Sequence, residues 1–239
     1  MQVVKNIAKK IIPSRYHEVI AKVLYGTPPH DFSVKSFSQE GEDLILKRLF
    51  EKKRNGFYVD VGAHHPQRFS NTYLFYELGW SGNNIDPLPG SMTLFNELRP
   101  RDINLEMGVS DSDDELVYYA FKEPALNTFS KGMAESRKSQ NCELVREERI
   151  KVCPLSRILD EHLRPGQKID FLSIDVEGLD INVLKSNAWD RYRPDVILVE
   201  CLGFDLSKPE TSEVYRYLTL LGWKITAKTL NTVFFKSDI

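Results

Sequence analysis

Residues 57–87 read FYVDVGAHHPQRFSNTYLFYELGWSGNNIDP. This is a short strand of aromatic and β-branched residues, a loop with one glycine, an amphipathic helix, and a second strand ending on an acid. The pattern returns near the C-terminus, where KIDFLSIDVEG, LDINVLKSNAWDRY, RPDVILVE and TSEVYRYLTLLGW read as strand, helix, strand and helix. Strands apolar on both faces and joined through helices pair in parallel and need helices on both sides to cover them. That alternation excludes an all-helical bundle and an all-β sandwich. It predicts an α/β fold: a mostly parallel sheet with helices on both faces. The closing runs KITAKT and NTVFFKS, with a tight turn at Leu230 and Asn231, add an antiparallel C-terminal edge.

A polar stretch interrupts the alternation. INLEMGVS reads as a third strand, and DSDDELVYYAF and EERIKVCPL as a paired excursion. Between these two lies KEPALNTFSKGMAESRKSQN, without periodicity, which is expected to be a lid or substrate loop within an insertion around residues 120–150. The domain spans residues 37–239. Residues 1–36 are expected to form an N-terminal helical extension, its helix stopped by the glycine and prolines of YGTPP.

With 239 residues, the chain can build one sizeable core. The net charge of −2 comes with no long basic run, so no nucleic-acid partner is expected. No segment is apolar enough to span a membrane. The three cysteines, Cys142, Cys153 and Cys201, form neither a zinc spacing nor a disulfide framework, which points to a reducing, cytoplasmic setting.

In such a sheet, ligands bind beyond the carboxyl ends of the strands. By position Asp60, Asp86, Asp175 and Glu200 stand there. Gly62 lets the backbone approach an adenosyl group without a Cβ in the way. Asp86 can accept hydrogen bonds from both hydroxyls of a ribose. A nicotinamide dinucleotide makes the same ribose demand, but its pyrophosphate favours a glycine-rich turn, and GAHHPQRF is bulky. S-adenosylmethionine has a sulfonium and no phosphate, so it suits this loop better.

Three segments in order, SQEGEDLIL (38–46), residues 58–87 and KIDFLSIDVEGLDINVLKSNAW (168–189), resemble the FkbM family of S-adenosylmethionine-dependent methyltransferases. The resemblance implies a Rossmann-like class I methyltransferase fold with the final strand inserted antiparallel. It implies O-methylation of sugars, polyketides or related metabolites. Carried onto this chain, it places Asp60, Gly62 and Ala63 at the methionine part of the cofactor, Asp86 at the ribose, and Gly108, Val109 and Ser110 at the adenine. Asp175 and Glu177 fall at the active-site edge, and Gln39 and Asp43 in a segment closing over the cofactor. The chain departs from the family after VGA, where HHPQRFSNT stands in place of a segment with a second glycine.

An acceptor hydroxyl is a poor nucleophile at neutral pH and needs a base or a metal. His65 is the expected base, with His64 touching the cofactor and Asp175 and Glu177 alongside. The alternative is a divalent ion, magnesium or manganese, held by these acids and a histidine. Arg68, Asn127 and Thr128 are candidates to hold a small-molecule, nucleotide-sugar or glycan acceptor. Two other readings remain open at this level: a Rossmann-like binding or scaffold protein without catalysis, and a nicotinamide-dependent sugar-modifying enzyme.

Overall fold

The computed structural model describes residues 32–237; the expected N-terminal helix lies outside them. The elements are α1 (Glu42–Leu49), β1 (Phe57–Val61), α2 (Tyr73–Glu77), β2 (Ser81–Asp86), α3 (Ser91–Leu98), β3 (Ile103–Glu106), β4 (Gly108–Val109) and β5 (Asp114–Phe121). They continue as α4 (Lys131–Ser139), β6 (Leu144–Cys153), α5 (Leu155–His162), β7 (Phe171–Ile174), α6 (Asp180–Lys185), β8 (Val196–Glu200), α7 (Glu213–Leu220), β9 (Trp223–Lys228) and β10 (Thr232–Ser237).

Seven strands form the main sheet in the order β3-β2-β1-β7-β8-β10-β9. β1, β2, β3, β7 and β8 run parallel, and β10 pairs antiparallel with both β8 and β9. The closing hairpin therefore forms the C-terminal margin, with its last strand inserted between β8 and β9.

Period-two alternation divides the core between the two faces of this sheet. Val59 and Val61 of β1, Leu172 and Ile174 of β7, Ile197 and Val199 of β8 and Val233 and Phe235 of β10 join one cluster with α5, α6 and α7. Tyr58, Phe171, Val196, Leu198 and Phe234 face the opposite way, against Leu46 of α1 and Leu74 and Phe75 of α2. β2 has weak strand propensity, yet its burial is nearly complete. Position between β1 and β3 overrides composition there.

The structure corrects the reading of the middle. INLEMGVS is not one strand: it divides at Met107 into β3, in the main sheet, and β4, which pairs with β6 in a second sheet ordered β4-β6-β5. Residues 122–141, expected as a lid or substrate loop without periodicity, are organised. Glu123 caps a 3₁₀ turn at Pro124–Leu126, Thr128 bridges back to Tyr119, and Ser130 caps α4 through the Met133 amide. Ala134 of α4 is fully buried against Tyr119 and Phe121, which anchors the helix despite its polar sequence.

Candidate active site

A cleft with about 930 Å³ of empty space, part of it open to solvent, lies beyond the carboxyl ends of β1, β2 and β7. The main sheet supplies Asp60, Asp86 and Asp175, and the second sheet and its connection supply Val109, Tyr118, Asn127, Thr128 and Phe129.

The β1–α2 loop sets the floor. Gly62 has φ +85°, and a Cβ there would lie 1.7 Å from the Asp175 carbonyl oxygen. The glycine is thus required by the neighbouring strand's backbone, a different reason from the approach to a ligand read from the sequence. Ala63 and His64 follow along the cleft wall. The His64 amide donates to Asp86 Oδ2 at 2.9 Å and the Leu88 amide to Oδ1 at 2.9 Å, which aims the Asp86 carboxylate and leaves each oxygen a further lone pair. Burial raises the Asp86 carboxyl to about 6.

Of the two histidines, His64 lies along the cleft as expected, while His65, the expected base, does not. The His65 Nδ1 accepts from the amides of Gln67 (3.0 Å) and Arg68 (2.9 Å). Accepting at Nδ1 leaves the ring proton on Nε2, so the basic nitrogen is occupied in shaping the loop. His64 lines the cleft, stacks on Phe69 with centroids 6.2 Å apart, and carries a buried Nε2 with no protein partner. Burial and the Arg68 charge lower its pKa to about 4, so it is neutral and weakly basic at neutral pH.

Carboxylates converge at the far end. Asp175, Glu177 and Glu200 each place an oxygen within 4.8 Å of the others. Asp175 Oδ1 is buried and unpartnered. Burial, reinforced by Glu200 and Glu177, raises the Asp175 carboxyl well above its ordinary range. Burial with Glu177 and Asp180 raises Glu200 to about 8. Burial also raises Glu177, opposed by Arg137. Arg137 of α4 pairs with Glu177 and also donates to the Leu126 carbonyl. Gly178 makes this approach feasible, since a Cβ there would meet Met133 Sδ of α4 at 2.4 Å. Arg137 carried no signal in the sequence, because only the folding of the polar insertion into α4 brings it here.

Other expected residues fall outside the cleft or are committed elsewhere. Asp43 does not line it and instead accepts from Ser36 Oγ, the Phe37 amide and Ser38 Oγ. Gln39 does line it, while its neighbours Glu40 and Glu42 bond the β9–β10 turn through Asn231 and Thr229. Gly108 and Ser110 flank Val109 but do not themselves line the cleft; Gly108 lies against Val152 and Phe129. Arg68 is partly exposed, paired with Glu123 at 2.9 Å and lying over the Phe69 ring. Asn127 Oδ1 accepts from the Phe121 amide, and Thr128 Oγ1 donates to the Glu177 carbonyl at 2.6 Å, so both build the wall.

The Methyltransferase FkbM domain family model matches residues 60–225. The chain belongs to the FkbM methyltransferase family. As an FkbM domain it is an S-adenosylmethionine-dependent methyltransferase. The matched residues begin at Asp60, so Gln39 and Asp43 precede them. No curated protein matches the chain. Among solved structures it is similar to a methyltransferase from Geobacter sulfurreducens, at 13% identity and TM-score 0.42, covering 100% of this chain and 97% of that one. It is also similar to an O-methyltransferase from Bacillus cereus in complex with SAH, at 13% identity and TM-score 0.41, covering 98% and 96%.

The FkbM cleft fits that cofactor on its own chemistry. Its described lining includes Asp60, Asp86, Asp175 and Glu177 and neither lysine nor arginine. Such a lining opposes a pyrophosphate and suits a cationic, phosphate-free ligand. Among the described residues, no helix is long and apolar enough to cross a membrane.

Proposed function

We propose that the protein is an O-methyltransferase acting on a hydroxyl of a sugar, glycan or related metabolite, with the Asp175–Glu200 carboxyl pair as the proton acceptor. The observation that carries this reading is the buried, unpartnered Asp175 Oδ1 in the cofactor cleft, within a carboxylate cluster that also includes Glu200.

Bound S-adenosylmethionine supplies an electrophilic methyl on a sulfonium. Asp86, already aimed by two amides, accepts from the ribose hydroxyls, and Asp60 faces the cationic methionyl end. Met107, Leu88 and Val109 offer an apolar wall for the adenine. The acceptor hydroxyl donates its proton to Asp175 as its oxygen takes up the methyl. A carboxylate surrounded by like charge is a stronger base than an exposed one; burial and neighbouring acids raise both Asp175 and Glu200, Glu200 to about 8.

A second groove adjoins the first at this cluster. It is lined by Glu200, Asp180, Leu202, Phe204 and Ser212 among others, and by no lysine or arginine among the described residues. Hydroxyl-binding carboxylates beside an aromatic ring suit an uncharged glycan better than a phosphate-bearing nucleotide sugar. Cys142, Cys153 and Cys201 are free thiols, which agrees with work in the cytoplasm.

The close approach of Asp175, Glu177 and Glu200 also supports a second reading, in which a magnesium or manganese ion sits among them and activates the hydroxyl. The Arg137 charge on Glu177 weighs against it, since that acid is already neutralised.

The direct test is to incubate the protein with S-adenosylmethionine and a panel of neutral glycans, amino sugars and nucleotide sugars, and to read by mass spectrometry the gain of one methylene on the acceptor. Methylation of nucleotide sugars alone overturns the choice of acceptor.

A further inference from the structure

Arg99 is the C-terminal cap of α3, and its side chain is completely buried. A buried guanidinium is retained only if its donors and its charge are met. Here Nε donates to Asp102 Oδ2 at 2.8 Å and one terminal nitrogen to the Tyr58 hydroxyl at 2.8 Å. The other donates to Thr72 Oγ1 at 3.0 Å and reaches the Pro66 carbonyl at 3.4 Å and Ser70 Oγ at 3.5 Å.

The direction of the Thr72 bond is forced. A guanidinium can only donate, so the Thr72 oxygen accepts from it and the single hydroxyl proton is free to go elsewhere. It goes to Asp60 Oδ2, 2.9 Å away. A one-way chain therefore runs from Arg99 through Thr72 to Asp60, the cleft acid at the end of β1.

We propose that Arg99 is a positioning residue for the methyl donor, fixing through Thr72 the orientation and negative charge of the Asp60 carboxylate. The inference rests on S-adenosylmethionine occupying the cleft with its cationic methionyl end toward Asp60. Asp60 sits among acids: Asp86 on β2, Asp175 beyond β7 and Asp102 behind it each interact with it electrostatically. Burial drives its carboxyl toward the neutral form, and the opposing influences are the Arg99 charge and hydrogen bonds from Thr72 and Ser173. Arg99 is the cation among these neighbours. It also grips the loop of Pro66 and Ser70, so one side chain ties the acid and the β1–α2 loop together.

The test uses the full chain and titration calorimetry with S-adenosylmethionine and S-adenosylhomocysteine from pH 5.5 to 8.5. Wild-type binding of either ligand checks the cofactor reading; its absence sinks that reading and the proposal with it. Given wild-type binding, Thr72→Val, which keeps shape and removes the relay, weakens affinity about tenfold at the acid end and recovers toward alkaline pH as Asp60 ionises. Thr72→Ser restores the wild-type profile. Arg99→Lys, which keeps the charge but loses the fork, falls between. A folded Thr72→Val with wild-type affinity and an unchanged pH profile overturns the proposal. So does equal loss at every pH that serine does not rescue, since that marks a purely structural role. Should Thr72→Val not fold, the Thr72→Ser and Arg99→Lys profiles decide: Arg99→Lys matching wild type at every pH overturns it.

Discussion

A carboxylate oxygen of Asp175 lies within 4.8 Å of one from Glu200, at the junction of two grooves. Two like charges so close and so sheltered cannot both ionise freely, and the pair favours holding a proton. That relationship has consequences for stability, chemistry and metal affinity.

Stability is expected to fall as pH rises through the range in which Glu200 titrates. Glu200 has an ordinary value of 4.5 and is raised to about 8 in the folded protein. Below the lower value both folded and unfolded chains hold the proton, and the full stability is present. As pH rises through the window between the two, the unfolded chain ionises first and stability is lost, levelling off above the folded value. The melting temperature is expected to be a few degrees higher at pH 5 than at pH 8, and Glu200→Gln to flatten that slope. A Glu200→Gln variant with the wild-type slope removes Glu200 as its source.

The proposed mechanism assigns proton removal to the carboxyl pair and predicts that the histidines are dispensable for it. Asp175→Asn is expected to lower kcat about 10²–10⁴-fold with donor affinity nearly intact. The rate of the wild-type enzyme should rise with pH as the pair ionises. His65→Ala should lower the melting temperature, because two loop amides lose their acceptor, while kcat stays close to wild type. Steady-state kinetics beside thermal melts separates these outcomes; a large kcat loss confined to the His65 variant reverses the assignment.

On the proposed reading, Asp86 holds the donor's ribose. Asp86→Ala should weaken S-adenosylhomocysteine binding by about 1.5–3 kcal/mol, as for hydrogen bonds to a charged acceptor. Because Asp86 also receives the His64 and Leu88 amides, Asp86→Asn is the better control for loop integrity. Calorimetry on both variants, with circular dichroism for folding, checks this; undiminished affinity in a folded Asp86→Ala protein rejects it.

Chelation distinguishes the two readings of the acid cluster. If the carboxyl pair works alone, dialysis against EDTA leaves turnover unchanged and added magnesium or manganese does nothing. Activity lost to chelator and restored by either ion, together with elemental analysis finding about one ion per chain, establishes the metal reading instead. Arg137→Gln should then tighten metal binding, because Glu177 loses its competing partner.

The main sheet and the acids at its carboxyl edge were readable in the chain because they depend on local patterning. Near-continuous apolar runs in FYVDV, FLSI and VILVE dictate strands buried on both faces, and an acid toward the end of such a strand emerges at its carboxyl edge. Asp60, Asp86, Asp175 and Glu200 follow from that rule alone. The roles of the histidines did not. His64 adopts φ 54°, and this left-handed turn decides which ring enters the cleft and which caps amides, a choice that adjacency in sequence leaves open. Nor could sequence bring Arg137 to Glu177, 40 positions away, or Arg99 to Thr72, 27 positions away, since neither pair shares an element. Met107, the residue between β3 and β4, gives no local sign that the chain changes sheets there. Periodicity determines which face of an element is buried; which distant charges meet across those faces is decided by tertiary packing, where a buried ion must find its partner or remain uncompensated.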